Sequence, residues 1–454
     1  MAKENKKAAL SLEERLDAAL VPDWEQPYKV PANWCWVTLG GITQVIGGGT
    51  PSSGNPDYYE GGNVPWISPA DLSNYNDMFI SNGAKNITEL GLEKSSARML
   101  PKDTVCLSSR APIGYVAIAA NPLSTNQGFK SFLPSPLYRP QYLYWYLKAN
   151  KELLESRASG TTFLELSGSK AASIEFPLAP LAEQQRIVDL IESLFAKLDE
   201  AKEKAQAVVD GFDARRAAIL HKAFTGELTA EWRKSKNISL ESWLTQTLKD
   251  SCNIGSGGTP SRKKPEYYDG LIPWIKTGEI DWNDIYDSEE HISQSAIDNS
   301  SAKLYPIGVV LVAMYGMGAT RGRAAILNVD ATTNQAVCVL QPKDYLVNRF
   351  LFYYFMCNYW DVREKAVGGN QLNLSATIIA KFVIHIPTID EQKEIIRILD
   401  SLLSKEQQAK ETAEQVIDQI NTMKKTILAR AFRCELGTYD PTDESAEELL
   451  LRVL

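Results

Sequence analysis

Residues 183–224 and 391–432 contain no proline and, apart from Gly211, no glycine, and their apolar positions recur at alternating steps of four and three. The first series runs Ile187, Ile191, Leu194, Leu198, Ala201, Ala205, Val208, Phe212, Arg215, Ile219. The second runs Ile395, Leu399, Leu402, Glu406, Ala409, Ala413, Val416, Ile420, Met423, Ile427. Only Arg215 breaks the first and only Glu406 the second. Such a/d spacing with charged outer faces predicts two helices that pair as a coiled coil. The large apolar members of both series, from Ile187 to Ile219 and from Ile395 to Ile427, form the expected seam, and the alanines would allow close approach at its middle. Pro180 and Pro387 precede the helices, where proline is tolerated. About 42 residues at 1.5 Å each make a rod of about 60 Å.

The stretches before these helices have another texture. They are rich in Gly, Pro, Asn, Ser and aromatics, with short apolar runs such as 116–120 and 309–313, which predicts short strands separated by turns. Helical spacing of Tyr, Leu and Trp predicts a helix over 140–157 and another over 347–366. The fold class expected is α/β (mixed α+β): two strand-rich domains, each followed by a long helix.

The two halves are copies. GGGTPSSGNPDYYEGGNVPWI at 47–67 matches SGGTPSRKKPEYYDGLIPWI at 256–275, displaced by 209 at Thr50/Thr259 and by 208 at Trp66/Trp274. The displacement of 208 persists at Thr125-Asn126-Gln127 and Thr333-Asn334-Gln335, at Leu164, Leu166, Ser167 and Leu372, Leu374, Ser375, at Glu183-Gln184 and Glu391-Gln392, and at Ala223-Phe224 and Ala431-Phe432. One register held that far marks a tandem duplication of a unit far longer than a solenoid repeat. The expected organisation is an N-terminal segment 1–26, a first globular domain 27–180, a first helix 181–226, a linker 227–239, a second domain 240–387, a second helix 388–436 and an acidic tail 437–454.

Two equivalent units pair most economically with their helices antiparallel. A pseudo-two-fold protein with two binding domains suits a split DNA site, since DNA-binding dimers place half-sites about 34–36 Å apart. Here the domains are fused and differ, so the target need not be palindromic.

Composition changes this picture at one point. At 454 residues the chain exceeds a single core, and 44% apolar with 23% charged residues is ordinary for a folded protein. The net charge of −8, however, is unusual for a nucleic-acid binder, although acids without bases between Glu435 and Glu448 account for part of it. Weak DNA binding by the isolated chain, with help from a basic partner, is expected. The segment MAKENKKAAL has no apolar h-region and the run 350–360 is too short to span a bilayer, so a cytoplasmic location without membrane association is expected. The six scattered cysteines, with no CxxC pair, read as free thiols.

Along almost its full length the chain resembles type I restriction–modification specificity subunits. The residues that carry the resemblance are the G-G-T-P-S and P-W-I blocks, T-N-Q, the helix starts P-L-A-E-Q-Q-R-I and P-T-I-D-E-Q-K-E-I, and Ala223 to Leu228 (A-F-T-G-E-L). The second copy departs at its end, where Ala431-Phe432-Arg433-Cys434-Glu435-Leu436 lacks the T-G pair. The resemblance implies target-recognition domains that each read one half of a bipartite site in double-stranded DNA, and spacer helices that set the gap. It implies assembly with two modification (methyltransferase) subunits and with restriction/translocase subunits. S-adenosylmethionine, ATP and Mg2+ are expected on those partners and no cofactor or metal on this chain.

The residues agree with a non-catalytic chain. No GxxxxGK[ST] loop occurs. Asn55-Pro56-Asp57-Tyr58 departs from the N-P-P-[YF] signature of adenine methyltransferases at Asp57, and its mate Lys264-Pro265-Glu266-Tyr267 loses the asparagine too. Three separated histidines support no catalytic triad. Candidate DNA contacts are loop cations, because arginine pairs bidentately with guanine and lysine neutralises phosphate. They are Lys85, Lys94, Arg98 and Arg110 in the first domain, and Arg262, Lys263, Lys264, Arg321 and Arg323 in the second. Trp66, Trp274 and the tyrosine pairs 58–59 and 267–268 occur in both copies, so they are assigned to a common scaffold. Base-specific contacts are expected where the copies differ. The alternatives are a stand-alone bipartite DNA-binding regulator, the reader subunit of a related type II system, and a coiled-coil scaffold that never meets DNA.

Overall fold

A computed structural model describes residues 11–110, 112–160, 164–316, 319–366 and 373–454. Residues 1–10 of the N-terminal segment and Leu372 of the repeat lie outside the described residues. The chain divides into two units, Met1–Lys204 with Val416–Leu454, and Ala205–Gln415.

In unit 1 the apolar runs Val105–Ser108 and Val116–Ala119 are buried along their whole length and form the middle of a five-stranded sheet. Its order is Val45–Gly47, Phe129–Phe132, Val105–Ser108, Val116–Ala119, Phe79–Ile80, antiparallel except at the last pairing. A three-stranded sheet, Lys85–Ile87, Val64–Ile67, Ser124–Thr125, carries the P-W-I block at its centre. The strands Cys35–Thr38 and Glu175–Leu178 pair separately. Unit 2 repeats the plan: five strands in the order Cys252–Ser256, Val337–Pro342, Val310–Ala313, Ala324–Leu327, Asp284–Ile285, three in the order His291–Ile292, Ile272–Ile275, Thr332–Thr333, and the pair Leu244–Thr247 with Val383–Ile386.

The helix expected over 140–157 is two helices, Pro140–Ala149 and Lys151–Arg157, and its mate is Asn348–Cys357 and Tyr359–Glu364. Both breaks fall on an asparagine of the repeat. Asn150 Nδ2 donates to the Tyr146 carbonyl at 2.8 Å and Asn358 Nδ2 to that of Tyr354 at 2.9 Å, so each side chain adds a second bond to the carbonyl that its own backbone amide already caps, at 3.1 and 3.0 Å.

The long helices are Leu181–Asp210, Phe212–Phe224 and Ile389–Ala431. Gly211 interrupts the first only locally: its amide bonds to Ala207 and its carbonyl accepts from Arg215, both at 3.1 Å. Within each unit the two helices pack antiparallel. In unit 1 Lys202 Nζ donates to Asn421 Oδ1 at 3.2 Å and Lys424 bonds to Asp199. In unit 2 Arg215 Nε donates to Glu406 Oε2 at 2.7 Å. The two polar residues that interrupt the apolar series are therefore each other's partner.

Of the seam positions, Ile187, Ile191, Phe212, Ile395, Leu399 and Ile420 are buried, and Leu194, Leu198, Val208, Ile219, Leu402, Val416 and Ile427 are half-buried. Ala205 and Ala413 are buried, but Ala201, Ala409 and Met423 face solvent, and the half-buried Lys202, Lys410 and Lys424 stand in their place. The cause is the helical period. Strict four–three stepping repeats every 3.5 residues, while a straight helix turns in 3.6, so its buried stripe slips past such a series. Lysine stems cover apolar surface while their charged ends reach out; the ammonium groups of Lys410 and Lys424 lie 4.9 and 4.8 Å from the ring centres of Phe212 and Phe195.

The segment 437–454, set apart in the sequence by its acidity, is part of the fold of unit 1. Its helix Ala446–Val453 buries Ala446, Leu449 and Leu450 in the main core of that unit, Ala446 N bonds to the Asn33 carbonyl at 2.9 Å, and Asp443 pairs with Arg186. The linker 227–239 contains the helix Ala230–Lys236. No helix of the described residues is long and apolar enough to cross a membrane.

Candidate nucleic-acid interface

The residues shared by the two copies build one scaffold twice. Thr50 bonds to Gln127 and Thr259 to Gln335, which ties the G-G-T-P loop to the T-N-Q turn in each unit. Gly49 N donates to the Thr125 carbonyl and Gly258 N to that of Thr333, both at 2.8 Å. Trp66 Nε1 donates to the Gly49 carbonyl at 3.0 Å, and Trp274 Nε1 to that of Gly258 at 2.9 Å. The second tyrosine of each pair closes the loop from the other side, Tyr59 onto the Pro51 carbonyl at 2.5 Å and Tyr268 onto that of Pro260 at 2.7 Å. Glycine is required because a Cβ on Gly48 would lie 1.9 Å from the Asn126 carbonyl, and one on Gly257 2.0 Å from that of Thr333. These aromatic side chains are thus engaged within the protein, as their presence in both copies implied.

The helix starts carry a second shared device. Glu183 and Glu391 are completely buried, and each gathers donors from segments distant in sequence. Glu183 accepts from Trp34 Nε1 at 2.8 Å, Thr438 Oγ1 at 3.1 Å and Cys434 Sγ at 3.2 Å; burial, with this carboxylate beside it, pushes the Cys434 thiol up to about 12. Glu391 accepts from Arg233 Nη1 at 2.6 Å, Thr229 Oγ1 at 2.7 Å and Trp243 Nε1 at 3.0 Å. The adjacent buried glutamines bind three backbone groups each. Gln184 holds Arg139 N, Leu137 O and Ala179 O, and Gln392 holds Val347 N, Tyr345 O and Pro387 O, all at 2.8–3.0 Å. The E-Q dipeptide therefore fixes each long helix to its domain. Sequence reasoning found the motif but not its role: the repeat mates Trp34 and Trp243, and Thr229 and Thr438, each 209 apart, carried the signal, whereas Arg233 has no counterpart in it.

The candidate cations do not form one patch. In each unit they fall into two groups. Lys85, Lys94 and Arg98 are exposed on or after the three-stranded sheet, with Lys94 paired to Glu93 at 3.1 Å. Arg262, Lys263 and Lys264 follow the scaffold loop of unit 2; Arg262 pairs with Glu290 at 2.6 Å and stacks on Tyr268, its guanidinium carbon 4.2 Å from the ring centre. That bond and the neighbouring Lys276 hold the Glu290 carboxyl below the usual range. Lys264 donates to the Tyr267 hydroxyl at 2.9 Å. Among the described residues Lys85, Arg98 and Lys263 have no ion pair within 4 Å.

The second group occupies equivalent hairpins. Arg110 lies between strands Val105–Ser108 and Val116–Ala119, and Arg321 and Arg323 between Val310–Ala313 and Ala324–Leu327. Gly114 and Gly322, one repeat apart, have φ of 95° and 86°, the left-handed conformation that glycine enters freely. The surroundings differ. Arg110 and Lys130 approach Glu165 at 3.9 and 3.4 Å, a cluster whose counterparts one repeat on are Cys338 and Asn373. Arg323 pairs with Asp281, and the Arg321 carbonyl accepts from Arg363 Nη1 at 2.7 Å. Lys130 was missed in the sequence because it sits inside a strand, whereas only loop cations were considered.

The hairpins, the duplicated scaffold and the paired helices match one family. The family model described as type I restriction modification DNA specificity domain matches residues 31–209 and again 241–419. The chain belongs to this type I restriction–modification DNA specificity family. It is 31% identical over 328 residues, 70% of this chain and 76% of the relative, to the type I restriction enzyme MjaIX specificity subunit of Methanocaldococcus jannaschii. Among solved structures the HsdS subunit of Thermoanaerobacter tengcongensis shares the fold, with a TM-score of 0.64 at 18% identity over 91% of this chain and all of that one. A chain from a type I R-M system solved for its complex assembly and conformational transition matches at a TM-score of 0.67 and 19% identity, over 90% of this chain and all of the other. In this family frame the chain has two DNA specificity domains of one plan, whose candidate cations differ on the hairpins and on the loop after the scaffold.

Proposed function

We propose that the chain is the non-catalytic reader of a type I restriction–modification complex: each domain reads one half of a bipartite DNA target, the paired helices set the unread gap, and partner subunits act where it binds. The observation that carries this reading is the division between copies. What is shared, the Thr–Gln tie, the Trp and Tyr bonds and the E-Q clasp, holds each domain together, and what differs, Arg110 against Arg321 with Arg323, stands on equivalent hairpins, with Lys130 added from the neighbouring strand in unit 1 only. Two domains of equal shape with unequal cations suit a target of two unequal half-sites.

Electrostatics supports a need for partners. The chain carries 56 acids against 48 bases, and Arg110, Arg262 and Arg323 already have acidic neighbours within the protein. Phosphate contacts provide most non-specific affinity, and those three arginines must exchange an internal acid for a base edge or phosphate. Two modification subunits are the partners that supply the missing affinity and the adenine methylation.

Co-expression with a modification subunit tests the reading. The expected result is a complex that methylates adenine at a split motif. A stable chain that brings down no methyltransferase activity, yet retards a split duplex by itself, would favour the stand-alone regulator.

A further inference from the structure

We propose that a recess beside Arg216 in unit 2 is a docking pocket for an acidic side chain of a modification subunit, and that unit 1 has the same pocket closed. The inference rests on the assembly reading above. The recess, about 260 Å3, is lined by Phe212, Arg216, Trp282, Phe352, Tyr353 and Leu403, with Gln407 at its edge.

The repeat shows what is special here. Moving by 208 turns Arg216 into Lys424, Gln407 into Asp199, Leu403 into Phe195 and Tyr353 into Trp145. In unit 1 Lys424 bonds to Asp199 and lies 4.8 Å over the Phe195 ring, so its charge is answered inside the chain. In unit 2 the facing acid is an amide. Among the described residues Arg216 makes no hydrogen bond and no ion pair within 4 Å, and Asp213, on its own helix, acts on it only from farther away. Burial, and the charge of Arg323, lower its pKa, so the guanidinium is poorly solvated and the site favours an added anion.

Other cations around the recess are already satisfied. Arg349 holds Asp284 with two bonds of 2.7 Å, Arg215 holds Glu406, and Arg323 holds Asp281. Trp282 adds a sign of constraint: its φ is 54°, and the residue one repeat earlier, Asn74, has φ 61°. Asparagine tolerates this left-handed backbone, whereas a bulky residue there is an outlier kept only where its surroundings over-determine it. Its indole packs edge-on to Phe352 and Tyr359, at 6.1 and 5.5 Å between ring centres.

A recess whose one unanswered cation stands among aromatic walls, beside an Arg349 already held by Asp284, suits a protein side chain better than DNA. A phosphate backbone is bound by rows of exposed Lys and Arg, each adding to counterion release. Interface anchors, in contrast, sit in desolvated pockets rich in Trp, Tyr and Arg. Because unit 1 presents Asp199 at the same place, two identical modification subunits meet unequal sites.

The test uses the full chain titrated with modification subunit and followed by native mass spectrometry. Gln407→Asp imports the unit 1 residue and gives Arg216 an internal partner, and Arg216→Gln removes the cation. Wild type is expected to load two subunits with unequal affinity. Each variant should weaken one loading step by about tenfold or more, with circular dichroism unchanged. Loading of both variants indistinguishable from wild type overturns the pocket. So does intact loading with weaker DNA binding and a salt slope reduced by about one charge, which would assign the anion to a phosphate. A wild-type chain that loads no subunit removes the assembly reading itself, an outcome distinct from either.

Discussion

Replacing Glu391 by glutamine keeps the shape of the helix start and removes its charge. Arg233, whose side chain is 9% exposed, then remains buried with the Gly226 carbonyl and neutral oxygens as its acceptors. Breaking a buried pair by removing one partner costs about 3–5 kcal/mol, mostly the price of the stranded charge. Glu183 offers the internal control. Its donors are Trp34, Thr438 and Cys434, no cation among the described residues pairs with it, and Glu183→Gln strands no charge but takes one accepting oxygen from these donors, so a loss of about 1–3 kcal/mol is expected there. Urea unfolding followed by tryptophan fluorescence reads both, because Trp243 and Trp34 donate to these carboxylates. With a slope of about 2–3 kcal/mol/M, Glu391→Gln should move the unfolding of unit 2 by about 1–2 M and Glu183→Gln that of unit 1 by about half as much. Adding Arg233→Met to Glu391→Gln should recover part of the loss, since an apolar replacement leaves no charge buried. Equal shifts for the two single variants, or no recovery in the double, would refute the reasoning.

Three further outcomes are expected. Four residues inserted into both long helices at facing positions, after Lys204 and after Asp418 by the Lys202–Asn421 pairing, add about 6 Å; the unread gap should grow by about two base pairs in the sequenced methylation motif, with both half-sites intact. Arg110→Ala should relax one half-site and Arg323→Ala the other, each by about 1–3 kcal/mol at the affected base in competition binding, and an effect of either on both halves contradicts the division of labour. Glu290 is held below the ordinary carboxylate range by Arg262, so its contribution to unit 2 is present above that range and lost as pH falls through the lowered value; Arg262→Gln should slightly lower thermal stability at neutral pH, leave it unchanged in acid where Glu290 is protonated, and so flatten the slope between the two, and an unchanged neutral side would contradict the linkage.

The repeat register, the strand-rich domains and the helix pair were legible because each rests on local periodicity: 208 between copies, two along strands, about 3.6 along helices. The seam was misread at Ala201, Ala409 and Met423 because a 3.5-residue step and a straight helix diverge within a few turns. Charge misled at 437–454. The acids of that segment mark it as a tail, yet Ala446, Leu449 and Leu450 bury one face of a helix whose polar face carries the acids. Of the candidate interface, the scaffold role of Trp66 and Trp274 followed from their presence in both copies. The pairing of Arg262 with Glu290 and of Arg323 with Asp281 did not, since each joins residues 28 and 42 apart across loops that no periodicity connects.

The central claim is that each domain reads its own half of the target. Residues 240–387 can be exchanged for the corresponding domain of another family member, and the methylated adenines of a host carrying the complete system mapped by long-read sequencing. The claim predicts a motif in which one half-site changes while the other half and the gap stay as they were. A motif altered in both halves, or altered in neither, would contradict it.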